Sequence, residues 1–174
     1  RDARHARLRR RDEGRGHLRA RPGDVLRIRL VNELLPNRDP LPHDHNLPNR
    51  LNTTNLHTHG IHVQPGTNPN GTQGDNTFLR VLPRGDWEIR QHAAEGCRRT
   101  LEPHERVAEA DFEFALGNVM GSQSGRRGRP QPHPPGTHWY HPHCHGATHD
   151  QVASGLAGFF IVEGDVDDAI NRAM

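Results

Sequence analysis

The chain is 174 residues long, 31% apolar, with a mean hydropathy of −0.93 and a formal net charge of +2. That length supports one hydrophobic core, and no apolar run approaches the roughly 18 residues of a membrane-spanning helix. All 23 basic residues are arginine; acidic residues interrupt their cluster at Arg1–Arg29, so the charge does not require a nucleic-acid partner.

Residues 1–20 read as an Arg-rich, poorly ordered N-terminal segment, and 21–165 as one domain. Arg21-Pro22-Gly23-Asp24 is a turn. Leu26, Ile28 and Leu30 alternate with Arg27 and Arg29, which predicts a half-buried strand over Leu26–Val31. A Pro- and Asn-rich loop covers about 36–55. "NLHTHGIHV" predicts a strand over Leu56–Val63, and a polar loop, "GTNPNGTQGDN", follows it. "TFLRVLP" and "RGDWEIRQH" read as short strands, and "RRTLEPHERVAEA" as a helical turn or a loop. Phe112, Phe114 and Leu116 share one face of a strand over Phe112–Leu116. An exposed Gly/Pro/Arg loop spans about 117–135. Strands over His138–His141 and Gly158–Val162 complete the set, and 166–174 is a linker or short helix leading onward. Many short strands, long polar loops and little helix predict an all-β sandwich.

The chemistry lies in the spacing of the 15 histidines. Residues i and i+2 of a strand share a face, so His57 and His59 project together, as do His141 and His143. Neighbouring strands lie about 5 Å apart, so the two pairs can bring four imidazoles into one small volume. Crowded imidazoles repel one another when protonated, and are costly to bury when neutral and unpaired. A transition metal such as copper, zinc, iron or nickel resolves both problems. Pro142 stiffens the second pair, and Gly60 and Gly146 leave room for a metal or a backbone beside each pair. His43 and His45 lie in a Pro-rich loop and read as surface residues. Mutual repulsion should lower the basicity of the clustered rings, so metal binding should strengthen as pH rises through about 6 to 7.

"NLHTHGIHVQP" resembles the first copper motif of the multicopper oxidases, and "PPGTHWYHPHCHGATHDQVASGLAGFFIVEGD" resembles their second. "RPGDVLRIRLVNEL" is similar to the strand that precedes the first motif. The resemblance covers about Leu18 to Met174 and implies a laccase-like enzyme's first domain, a plastocyanin-like (cupredoxin) Greek-key β-sandwich, with secreted or periplasmic location. It implies that His57 serves a type 2 copper and that His59, His141 and His143 serve the type 3 pair. Such a cluster reduces dioxygen to water with electrons from a small substrate, a phenol or a metal ion, drawn through a type 1 copper. The other histidines and the type 1 site belong to later cupredoxin domains of the same chain or another subunit, so this chain alone is half a site and inactive by itself.

Two cysteines, Cys97 and Cys144, allow at most one disulfide and define no compartment, and no secretory signal pattern is present. Cys144 with His149 imitates the start of a type 1 motif, but Ser154 stands at the axial position, a poor ligand for a blue-copper site. Cys144 therefore reads as a free thiol, and Cys97 as plain. His145 and Asp150 are candidates to orient the ligands; His62 and His138 read as supporting or surface groups. Two alternatives remain: a stand-alone copper-binding, electron-transfer cupredoxin using Cys144, and a non-catalytic copper-binding module.

Overall fold

The computed structural model describes residues 4–8, 16–37, 47–86, 101–120 and 130–174; for 4–8, 118–120 and 130–132 only the backbone is described. The elements among the described residues include β1 (Arg4–Leu8), β2 (Leu18–Ala20), β3 (Val25–Val31), β4 (His57–His59), β5 (Arg80–Leu82), β6 (Glu105–Val107), β7 (Glu109–Ala115), β8 (Asn118–Met120), β9 (Pro130–Pro132), β10 (Gly136–His141), α1 (Thr148–Ala153), β11 (Gly158–Val162) and α2 (Asp165–Ala173). The fold is all-β, as the sequence predicts.

Two sheets form the body. One has the order β1-β3-β7, the other β2-β11-β10-β4. β3 and β7 pair antiparallel, with Leu26 opposite Phe114 and Ile28 opposite Phe112 on the inner face. On the outer face Arg27 is opposite Glu113 and Arg29 opposite Asp111. These pairs close into ion pairs of 2.8 and 2.7 Å, the cross-strand arrangement that fits a sheet with one wet face. The second sheet supplies Leu18, Ala20, Tyr140, Phe160 and Val162 to the same core. Phe114 and Phe160 meet across the gap with ring centroids 6.5 Å apart. The sandwich is thus closed by side chains that strand alternation aims inward.

The elements depart from the sequence-based expectation at several points. The Arg-rich first 20 residues contribute β1, parallel to β3, and β2, parallel to β11. The strand predicted over Leu56–Val63 shortens to β4 because Gly60 takes φ +76, which ends extended pairing. "RRTLEPHERVAEA" is neither helix nor plain loop: β6 pairs parallel with β5, and β7 begins at Glu109. Residues 84–86 are helical where a strand was expected. The 117–135 loop contains the antiparallel pair β8–β9. His43, His45 and Cys97 lie outside the described residues. The expected short helix after residue 165 is α2, held to the sheet by the paired bonds of Arg21 to Asp168, 2.6 and 3.0 Å.

Candidate metal centre

β4 is the edge of its sheet and pairs antiparallel with β10, setting His57 opposite His141 and His59 opposite Trp139. Alternation then puts His57, His59, Trp139 and His141 on one face. One ligand atom from each of His57, His59 and His141 lies within 4.8 Å of the others. His59 Nε2 is 2.9 Å from His141 Nε2. The His143 ring, just past the end of β10, lies 5.0 Å from that of His57 and 5.8 Å from that of His141, centroid to centroid. The four predicted imidazoles therefore gather at one place.

Hydrogen bonds decide which ring nitrogens are available. His141 Nδ1 is 2.6 Å from the Pro142 carbonyl. A carbonyl only accepts, so Nδ1 carries the proton and neutral Nε2 is bare. His57 Nδ1 donates in the same way to Asp75 Oδ1 at 2.9 Å, and Asp75 Oδ1 also accepts the Thr58 N–H at 3.0 Å. His57 Nε2 is left as a free ligand atom. His143 Nδ1 is buried with no hydrogen-bond partner among the described residues, and its backbone N–H donates to buried Asn55 Oδ1. The indole of Trp139 stacks on both His59 and His141, 4.5 Å from each and within 12° and 19° of parallel.

Electrostatics favour the neutral ring at His59 and His141. His59 has its pKa lowered by burial first and by His57 and His143 second, against the opposing pull of Asp75. His141 is lowered by burial first, then by its neighbouring rings, against the Pro142 hydrogen bond. The lowering predicted from mutual repulsion is present, but desolvation is its larger cause. His59 Nε2 donates to the bare Nε2 of His141, and an all-imidazole donor set with bare Nε2 atoms on His57 and His141 suits copper, zinc, iron or nickel.

Cys144 stands apart. It is buried, its S–H points at the Leu79 carbonyl at 3.8 Å, and burial pushes its pKa up to about 12. Thiolate, not thiol, ligates metal, so its surroundings oppose a type 1 role. His149, its proposed partner, has a side chain 92% exposed and lies 3.9 Å from Asp150 on α1. His145 is exposed, its ring 5.8 Å from that of His143. The carboxylate placed on a clustered ring is Asp75, which the sequence reading left in a polar loop. Asn55 and Trp139 were missed as well. Their positions flanking the two motifs were the available signal. The space left by Gly60 is taken by the His138 ring, which a Cβ there would meet at 2.7 Å. Beside Gly146 lies Asn49, whose N–H donates to the Gly146 carbonyl at 3.0 Å.

Residues 129–167, which include the second histidine pair, match the multicopper oxidase family. No curated protein matches the chain. Among solved structures it is similar to the multicopper oxidase from Campylobacter jejuni, a metallo-oxidase, at 21% identity and a TM-score of 0.43, over 84% of this chain and 19% of that one. It is also similar to a multicopper oxidase from Pediococcus acidilactici, at 18% identity and a TM-score of 0.43, over 87% and 20%. The chain thus spans about a fifth of the length of these structures. The resemblance to the multicopper oxidases is borne out through the segment that holds His141 and His143.

Proposed function

We propose that this chain is the first, Greek-key cupredoxin domain of a multicopper oxidase and supplies half of the histidines of a trinuclear copper site. The observation that carries the reading is the convergence of His57, His59 and His141 within 4.8 Å, drawn from two motifs whose His59 and His141 lie 82 positions apart in sequence. In this reading His57 serves the type 2 ion, and His59, His141 and His143 serve the type 3 pair. Bound copper supplies one-electron redox chemistry and a binding place for dioxygen. The chain's own residues do the preparation. Asp75 and the Pro142 carbonyl hold the Nδ1 protons of His57 and His141, which turns each Nε2 toward the site. Trp139 packs flat on two of the rings and limits their rotation. His145 lies beside His143, and Asp150 is exposed on α1 beside His149. Later cupredoxin domains, in the same chain or another subunit, supply the other ligands and the type 1 copper; a small reducing substrate binds there. A secreted or periplasmic setting belongs to the same reading. Among the described residues no helix is long and apolar enough to cross a membrane.

The test is copper titration of the purified chain followed by electron paramagnetic resonance. Wild type should bind copper without an intense visible band. His59→Ala and His141→Ala should each weaken binding by at least about tenfold, while Cys144→Ser should leave stoichiometry unchanged. Unchanged copper binding in His141→Ala would overturn the reading. A visible band lost in Cys144→Ser would move the chain to the electron-transfer class.

A further inference from the structure

We propose that His133 is a pH-gated positioning residue that ties the chain leaving the first histidine pair to the chain entering the second. Its consequence for copper rests on the half-site reading; the tie itself does not. His133 lies in a segment that the sequence suggested was an exposed loop, yet its side chain is fully buried. Its Nε2 is 3.0 Å from the backbone nitrogen of His62, and its Nδ1 is 2.9 Å from the Pro134 carbonyl. A backbone N–H only donates and a carbonyl only accepts. The ring is therefore neutral, protonated on Nδ1 and bare on Nε2, with both nitrogens used. That excludes His133 as a metal ligand, although the His62 and His138 rings stand 5.5 and 5.7 Å away and make a second histidine trio.

The two bonds fall at informative places. His62 is three residues beyond His59. Pro134 is two residues before β10, the strand that carries His141. One imidazole thus links both motifs outside the β4–β10 ladder, which is only three residue pairs long. β4 ends at His59, just before Gly60, so the segment carrying His62 lies outside the strand pairing and depends on other anchors. Protonation of His133 would place an Nε2–H against the His62 N–H, donor against donor, and break the tie. The titratable groups facing the ring are His62 and His138. Burial and His62 both oppose the cation, with the Pro134 bond acting the other way, and the net effect lowers the His133 pKa from its ordinary value. The sign follows: the unfolded chain takes up this proton more readily than the folded one. The contribution to stability is complete above about pH 6.5 and is lost as pH falls from there through the lowered folded value.

The experiment uses the copper-free 174-residue chain. Ring-nitrogen NMR near neutral pH should show His133 protonated on Nδ1 and bare on Nε2; an Nε2-protonated ring would overturn the proposal. Protection of the His62 amide, its exchange rate taken relative to the intrinsic rate at each pH, should fall at least about tenfold as the solution is acidified through the His133 titration. His133→Gln keeps an acceptor for His62 and cannot titrate, so its His62 exchange should lose that acid dependence. If the variant keeps the wild-type dependence, the gating is wrong. His133→Phe fills the space without an acceptor and should expose the His62 amide at neutral pH; the tautomer measurement and the Gln variant decide the matter if it does not fold. In a copper titration, His133→Phe should bind about tenfold more weakly, with affinity restored in His133→Gln. Equal affinity in all three proteins would overturn the positioning role. Wild type that binds no copper, with the tautomer and exchange results intact, would sink the half-site reading and leave the tie standing.

Discussion

At the scale of single residues, His57 and His141 depend on groups that hold their unused nitrogens. Asp75 is the one carboxylate among these, and its Oδ1 serves both the His57 ring and the Thr58 N–H. Removing such a partner typically costs 10–100-fold in metal affinity. Asp75→Ala should therefore weaken copper binding by about 10–100-fold. Asp75→Asn retains an acceptor oxygen and should recover much of that loss, which isothermal titration would measure. If Asp75→Ala binds copper like wild type, the His57 ring is oriented by something else. Cys144, by contrast, is a small buried hydrophobe whose thiol is held far from ionisation at neutral pH.

At the scale of elements, the site depends on two strands keeping register, and that register depends on the core beneath them. Tyr140, between Trp139 and His141, points inward and donates its hydroxyl to the Gly16 carbonyl at 2.7 Å. Phe114 of β7 packs against Phe112 and, across the sandwich, against Phe160 of β11, the strand next to β10. It is fully buried. Phe114→Ala should destabilise the fold by about 3–5 kcal/mol through lost burial and the cavity left behind. Chemical denaturation would measure it; a loss under about 1 kcal/mol would mean that the two sheets are not held together there. Copper affinity of the folded fraction should change little, because Phe114 is on the opposite sheet from the ligands.

At the scale of the whole molecule, the chain spans about a fifth of the length of the multicopper oxidases it is similar to. Phe159 is opposite Trp139 in the ladder, on the same outward face, and both are substantially exposed. In the half-site reading, this outward face is the one that another domain covers. In the half-site reading, the isolated chain lacks both a complete ligand set and an electron entry. It should consume no oxygen catalytically when supplied with copper and a phenol, as an oxygen electrode would record. Sustained consumption that His141→Ala abolishes would show that the chain completes its own site, and the half-site reading would fall.

Strand alternation and the i, i+2 histidine pairs made β3, β7, β10, β11 and the four imidazoles legible in the residue order, because those patterns repeat within a few positions. The family resemblance of the second motif was legible for the same reason. Tertiary structure decided what depends on contacts between distant residues. The Asp75 carboxylate reaches His57 across 18 positions, and the Asn55 side chain reaches the His143 amide across 88. The His133 ring accepts the His62 amide, 71 positions away. Local sequence can say which face a histidine occupies. Which proton its ring carries is set by the acceptor or donor that the fold brings to it.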